Sequence, residues 1–113
     1  MSARIFAPAE ARLLDIWDYT LEAWGEDQAD LYLRNLIERI HALPQEAPHW
    51  RPLADKELPG VWFVRHHCHY IFFRELKPGL IGVISVLHEK MDLPARIRED
   101  ADQMEENPKP KRS

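Results

Sequence analysis

The stretch that decides the fold is residues 15–36, "DIWDYTLEAWGEDQADLYLRNL". Apolar residues recur at helical spacing on both sides of Gly25, and a glycine tolerates the positive φ with which helices commonly end. The pattern predicts two antiparallel helices within residues 9–43, joined by a tight turn at "WGED". The apolar positions are Leu14, Trp17, Leu21 and Trp24 before the turn, and Ala29, Leu33, Leu36, Ile37, Ile40 and Leu43 after it.

Strand patterns flank this helical hairpin on both sides. Residues 3–7, "ARIFA", form a short apolar segment, and a proline-rich loop at 44–60 follows the helices. Short turns then separate three further apolar segments, at 61–66, 69–76 and 80–88. Because short links join antiparallel neighbours, the predicted fold class is α+β in the order β-α-α-β-β-β. The N-terminal helical hairpin is expected to pack on one face of a small antiparallel sheet.

Both faces of the predicted sheet are apolar. Alternation places Tyr70 and Phe72 opposite Ile71 and Phe73, and Ile81, Val83 and Leu87 opposite Leu80, Ile84 and Val86. An antiparallel sheet with one face in water shows a cleaner polar alternation. Since the hairpin can cover only one face, we expect the C-terminal segment, a second copy of the chain or a partner protein to cover the other. Of the four tryptophans, Trp17 and Trp24 are expected to fill the core.

Composition indicates one ordinary globular domain. The chain has 113 residues and a formal net charge of −4, which argues against direct binding of nucleic acid. We expect a folded domain at 1–98 and a polar tail at 99–113. A final helix is expected at 93–104, and residues 105–113 are expected to be disordered. The sequence contains neither a signal-peptide pattern nor an apolar run of membrane-spanning length, and its single cysteine excludes an intramolecular disulfide. These features predict a cytoplasmic protein without membrane contact.

The stretch "HHCH" at residues 66–69 places four potential metal ligands side by side. Structural zinc sites space their ligands in separated pairs, and in an extended chain at most two of four adjacent side chains point the same way. We therefore expect a connector between two strands, with His69 opening the second strand and the other three at exposed turn positions. No metal and no cofactor is predicted. A small metal-binding or redox-sensing module is the alternative that this stretch leaves open.

Several segments resemble the ParE family, the toxins of type II toxin–antitoxin modules within the wider ParE/RelE superfamily. The resemblance spans about residues 3–97. It is carried by residues 15–36, the Pro59-Gly60 turn, "HYIFFRE" at 69–75 and "ISVLHEKMD" at 84–92. It implies a bacterial toxin that inhibits DNA gyrase and blocks replication. The implied partner is a ParD-type antitoxin, a ribbon-helix-helix dimer whose C-terminal arm wraps the toxin and which alone contacts operator DNA.

The resemblance also suggests binding residues. The residues expected to contact the antitoxin are Leu13, Trp17, Tyr32, Leu36, Arg65, Tyr70, Phe72 and Arg74. The residues expected to contact the target, on the family pattern alone, are His88, Lys90, Met91 and Asp92. A purely structural interpretation stands beside each set. In it His88 and Asp92 bond backbone groups where the sheet ends, and Arg65 and Arg74 form ion pairs.

The superfamily also contains RelE-type toxins, which cut messenger RNA in the ribosome. That chemistry needs cations around the scissile phosphate and a group that activates the 2′-hydroxyl. Here the strand at 61–65 is apolar up to Arg65, and Glu89 and Asp92 would repel a phosphate. Residues 93–104 contain no tyrosine of the RelE type. We therefore expect no catalytic residues, and a ribosome-dependent mRNA endonuclease is the alternative function.

Overall fold

The computed structural model describes residues 2–56 and 58–106, apart from the side chains of residues 2 and 104–106. It confirms the α+β class and the predicted order of the main elements. The elements are β1 (Ser2–Ile5), α1 (Ala7–Trp24), α2 (Glu26–Ala42), a 3-10 helix (Leu43–His49), β2 (Arg51–Pro52), β3 (Val61–His66), β4 (His69–Lys77), β5 (Leu80–His88) and α3 (Leu93–Glu106). No helix in the described ranges is long and apolar enough to cross a membrane.

The sheet is mixed, with the strand order β1-β5-β4-β3-β2. The pairs β2–β3, β3–β4 and β4–β5 are antiparallel, as short links require. β1 pairs with β5 in parallel, from Ser2 opposite Leu80 to Ile5 opposite Val83, so the expectation of a purely antiparallel sheet was wrong at this edge. The rule for short links does not apply to β1, because the helical hairpin and three strands separate it from its neighbour.

Gly25 alone joins the two helices of the hairpin. Its φ is 96°, a left-handed value that a side chain would strain, and its N–H donates to the carbonyl of Leu21 at 3.0 Å. The predicted hairpin is thereby confirmed. α1 begins at Ala7, two residues before the expected start, because Pro8 is accommodated in the first turn of a helix.

Each face of the sheet supports its own apolar core. The hairpin covers one face, where Leu36, Ile40 and Phe73 are fully buried. On the other face Ile97 and Ala101 of α3 pack against Phe72, Ile84 and Leu87. The C-terminal segment therefore covers the second face, which is one of the three coverings expected. The expected boundary at residue 98 lies inside α3, and residues 107–113 of the expected tail lie outside the described ranges.

A β-bulge changes which side chains share a face. Phe72 pairs with Ser85 while Phe73 pairs with Val83, so Ile84 is an extra residue on β5. Beyond the bulge the alternation is reversed. Val86 packs under the hairpin and Leu87 under α3, which corrects the faces that simple alternation predicted for these two residues.

The tryptophans divide differently from the prediction. Trp24 is 70% exposed, so its expected place in the core was wrong. It is the last residue of α1, beside the Gly25 turn. Trp17 is half-buried, and Trp50 and Trp62 pack against the core beneath the hairpin.

Candidate functional site

A groove runs between the helical hairpin and the ends of β4 and β5. It consists of two adjoining cavities of about 310 and 350 Å³, which share Tyr19, His69 and His88. We call it the hairpin groove. The cavity towards the Gly25 turn is also lined by Thr20, Trp24, Gln28, Leu31, Tyr32 and Cys68, and the other by Arg12, Asp15, Ile16, Val86, Lys90 and Met91.

Two histidines form the floor of the hairpin groove. The hydroxyl of Tyr32 lies 2.7 Å from Nδ1 of His69, and the rings of His69 and His88 are 5.2 Å apart. Burial lowers the pKa of His69 to about 4 and raises that of Tyr32. The tyrosine therefore donates this hydrogen bond and the neutral imidazole accepts it. Nδ1 of His88 accepts the backbone N–H of Lys90 at 3.1 Å.

The stretch "HHCH" forms the turn between β3 and β4 beside this floor. His69 opens β4, as predicted, and His67 occupies the turn with a φ of 56°. His66 is buried, and burial lowers its pKa, while Cys68 is half-buried with its Sγ 3.6 Å from Nδ1 of His69. The expectation of exposed positions was thus wrong for His66, whose ring packs against Tyr32 of α2, and for Cys68, which lies beside His69. Among the described residues no group of three or more potential ligands is arranged to hold a metal ion.

The rim of the hairpin groove is unusually apolar for a surface. Tyr19 and Trp24 are each 70% exposed and Leu31 is 48% exposed. Sequence reasoning did not select these three residues, because helical spacing alone places Trp24 in the core stripe. The signal that could have identified it is the adjacent Gly25, since a side chain at a hairpin tip extends beyond the sheet that it would otherwise cover.

A second surface lies on the opposite face of the sheet. We call it the sheet cleft, a cavity of about 270 Å³ lined by Leu53, Ala54, Asp55, Phe63, Tyr70, Phe72, Leu93, Pro94 and Ile97. Phe63 packs edge-on against Tyr70, with ring centroids 5.8 Å apart. The Arg65 guanidinium lies 5.6 Å from the Tyr70 centroid, pairs with Glu89 and donates to the carbonyl of His67. The sheet cleft therefore has an aromatic wall and a positioned cation at its edge.

One carboxylate of helix α3 is bonded to both α1 and β5. Asp100 is 3% exposed and accepts Nε of Arg12 in α1 at 3.0 Å and the hydroxyl of Ser85 in β5. The hydrogen bond to Asp100 is the main reason that the pKa of Arg12 is raised. This contact holds α3, whose Ile97 and Ala101 pack on the sheet, to both α1 and β5.

The predicted antitoxin-binding residues divide between the two sides. Arg65, Tyr70, Phe72 and Arg74 occupy the face of the sheet cleft, whereas Leu13, Trp17, Tyr32 and Leu36 belong to the hairpin. Contact of these residues with an antitoxin stays a prediction, and three of them are almost fully buried: Leu13 at 6%, Leu36 at 0% and Phe72 at 2% exposure. They can shape a binding surface only by supporting it from below.

The predicted target-binding residues lie together at one end of the hairpin groove. His88, Lys90 and Met91 line it. Asp92 precedes α3, and its Oδ1 accepts the N–H of Ala95 at 3.5 Å. The structural interpretation is confirmed for His88 and Asp92, which both bond backbone groups, and for Arg65, which forms an ion pair. Binding to a target stays a prediction.

Comparison with known proteins first defines the fold class. A solved structure titled "Chromosomal ParDE TA system from P. aeruginosa" superposes with a TM-score of 0.64 at 22% identity, covering 78% of this chain and 95% of that one. The toxin–antitoxin complex RelBE2 from Mycobacterium tuberculosis gives a TM-score of 0.57 at 18% identity, covering 77% and 95%. The fold is that of the RelE/ParE-like toxins.

The sequence comparisons identify the family within this class. Residues 4–93 match the family model described as "ParE toxin of type II toxin-antitoxin system, parDE". Toxin ParE1 of Mycobacterium tuberculosis is 39% identical over 97 residues, covering 82% of this chain and 96% of the relative. Toxin ParE of Escherichia coli is 33% identical over 93 residues, covering 80% and 87%. The chain belongs to the ParE toxin family.

Proposed function

We propose that this ParE-type toxin inhibits DNA gyrase, blocks replication without catalysing a reaction, and is neutralised by a ParD-type antitoxin. One observation carries the proposal. A member of the toxin family has two apolar clefts on opposite sides of one sheet, each edged by aromatic side chains. Clefts of this kind are typical anchor sites for protein partners. A neutralised inhibitor needs two such contacts, one for its target and one for its antitoxin.

The side chains of the hairpin groove support a non-catalytic role. Cleavage of RNA requires cations aimed at the phosphate and a base positioned at the 2′-hydroxyl. Among the described residues two cations line the groove: Arg12, which is bound to Asp100, and Lys90. Arg65 lies on the opposite face, paired with Glu89. Nδ1 of each groove histidine already accepts a hydrogen bond, from Tyr32 at His69 and from Lys90 at His88. The groove therefore suits contact with a protein better than phosphoryl chemistry.

The sheet cleft suits the antitoxin arm. Its wall of Phe63 and Tyr70 offers an apolar surface for an anchoring side chain, and Arg65 at the edge can form charge-assisted bonds with an acidic segment. In this proposal the antitoxin is a ribbon-helix-helix dimer, and the toxin reaches operator DNA only through it. Binding in the cytoplasm would follow from the location of gyrase and DNA.

The experiment is expression of the chain alone and together with the product of the adjacent gene. We expect growth arrest with filamentation and DNA damage, relieved by co-expression. Purified toxin should inhibit supercoiling by gyrase and stabilise its cleaved complex with DNA. Rapid arrest of translation with cleaved messages would instead establish the mRNA endonuclease alternative, and harmless expression would refute a toxin function.

A further inference from the structure

Helix α1 carries a stripe of acids that its fold does not require. Asp15, Asp18 and Glu22 are exposed and follow one another at spacings of three and four residues. Like charges at this spacing repel, and acids in the C-terminal half of a helix oppose its dipole. Arg12 is the one base in the sequence of α1, and it is bound to Asp100. Arg12 also attracts Asp15, so the electrostatic cost falls on Asp18 and Glu22, for which the described residues form no ion pair.

The neighbouring acids of α2 have a structural explanation, and the stripe does not. Glu26 and Asp27 lie in the first turn of α2, where the helix dipole favours negative charge. Glu22 instead lies in the last turn of α1, where the dipole disfavours an acid and no basic residue is present. Asp18 lies one turn earlier and adds its charge to the same side of the helix. The negative charge beside the Gly25 turn therefore points to a role outside the fold.

Exposed aromatic rings accompany this charge. Tyr19 is four residues after Asp15 and three before Glu22, so it lies on the same side of α1 and lines the hairpin groove. Trp24 borders the groove one turn further on, and both rings are 70% exposed. Carboxylates beside aromatic faces bind lysine and arginine, through charge-assisted hydrogen bonds and cation–π contact.

We propose that the end of the hairpin groove near the Gly25 turn docks a cationic segment of the protein that the toxin inhibits. Lysine or arginine side chains of that segment would face the acidic stripe, with Tyr19 and Trp24 against their stems. An apolar residue would enter the cavity of about 310 Å³. This inference rests on the proposed function. It assigns the target to the hairpin groove and the antitoxin to the sheet cleft.

Charge favours a cationic segment of the target over a second copy of the chain and over an antitoxin arm as the occupant of the groove. A second copy of the chain docking through the same surface would bring two acidic stripes together. An acidic antitoxin arm would meet like charge here, whereas Arg65 at the sheet cleft would attract it. The groove also extends from the stripe to His88, Lys90 and Met91, the residues for which target contact was predicted.

The test compares variants that remove the charge or the ring. One combines Asp15→Asn, Asp18→Asn and Glu22→Gln, and a second carries Trp24→Ala alone. The matched control neutralises three exposed acids elsewhere, by Glu10→Gln, Glu38→Gln and Glu75→Gln. For each chain we would measure growth arrest in cells and affinity for purified gyrase subunits at low and moderate salt. Affinity for the co-expressed antitoxin shows in the same experiment that each variant is folded.

We expect the triple variant to lose at least tenfold in gyrase affinity, most of the salt dependence and most of its growth arrest. Trp24→Ala should lose gyrase affinity as well, while the control stays within about twofold of the wild type. Antitoxin affinity should change less than twofold in all three.

The other outcomes separate the two proposals. Full growth arrest by both groove variants would overturn the docking proposal and leave the toxin function intact. Loss of antitoxin affinity with unchanged growth arrest would assign the groove to the antitoxin. A wild-type dimer that dissociates on the substitution Trp24→Ala would assign the groove to a second copy of the chain. Either result overturns the proposal. If the wild type arrests growth without binding gyrase, the gyrase assignment fails, and the growth data alone decide on the groove. A harmless wild type would overturn both.

Discussion

The hairpin groove and the sheet cleft are built from opposite sides of the same two strands. In β4, Tyr70 and Phe72 face the cleft while His69 lines the groove, and β5 ends with Leu87 beneath α3 and His88 in the groove. The groove keeps exposed rings at its rim, whereas the cleft is partly closed by α3, which buries Phe72. The difference shows that core packing shapes the whole cleft, whereas the groove combines a buried floor, which includes Ile16 and Val86, with an exposed rim.

The largest difference in the free energy of unfolding should appear between variants that remove one aromatic ring from each surface. Phe72→Ala empties a site that is 2% exposed, so the free energy of unfolding should fall by about 3–5 kcal/mol. Trp24→Ala removes a ring that is 70% exposed and should change the free energy of unfolding by less than about 0.5 kcal/mol. Urea unfolding of both variants measures the contrast. Equal losses would show that the groove rim belongs to the core after all.

The next effect concerns Asp100, which holds α3 to α1 and β5. Asp100→Ala leaves Arg12 without its main partner and Ser85 without an acceptor, so we expect a loss of about 2–3 kcal/mol. Glu99→Ala is the control, since that neighbouring carboxylate is 53% exposed and should contribute less than about 0.5 kcal/mol. Chemical denaturation tests both. A loss below 1 kcal/mol for Asp100→Ala would mean that apolar contacts alone hold α3 in place.

Much of this architecture could be predicted from local patterns. The turn at Gly25, the strand that starts at His69 and the α+β class depend on residues close in sequence, and the structure confirms them. The parallel pairing of β1 with β5 could not be predicted, because it joins strands separated by about seventy residues. The bulge at Ile84 was also missed, since period-two alternation assumes an uninterrupted ladder.

The candidate surfaces could be predicted only where their residues are adjacent in sequence. His88, Lys90 and Met91 are adjacent in sequence and do line one groove. The opposite end of that groove comes from α1 and α2, and helical periodicity cannot tell that Trp24 lies beyond the sheet. Leu13 and Leu36 were selected as apolar residues of the hairpin, but period alone does not distinguish a side chain in the core from one at its edge.

The groove floor should show a pH dependence that originates at His69. The pKa of His69 is about 4 in the folded chain, below the usual value near 6.5, so the unfolded chain binds a proton in the window between them. Stability conferred by the neutral ring is complete above pH 6.5 and is lost as pH falls towards 4. Because water reaches part of this site, the effect should be about 1–2 kcal/mol.

Unfolding of the wild type and of His69→Gln at pH 7 and at pH 4.5 measures this dependence. Glutamine does not titrate, so the variant should lose less stability on acidification than the wild type. His41→Gln is the matched control, since it makes the same replacement at an exposed histidine of α2 outside the groove. An identical pH profile for wild type and His69→Gln would refute the role assigned to this ring.

The smallest effect belongs to the cation at the edge of the sheet cleft. The Arg65 side chain is 54% exposed where it pairs with Glu89, and exposed ion pairs contribute about 0.2–1 kcal/mol. A double-mutant cycle of Arg65→Gln and Glu89→Gln should give a coupling in this range that shrinks at 0.5 M salt, because ions screen exposed charges. A coupling above 2 kcal/mol would place Arg65 with the core residues of the cleft. A small coupling combined with a large loss of antitoxin affinity would show that Arg65 serves binding rather than folding. The edge of the cleft would then resemble the rim of the groove, where Trp24 is likewise expected to contribute to binding and not to stability.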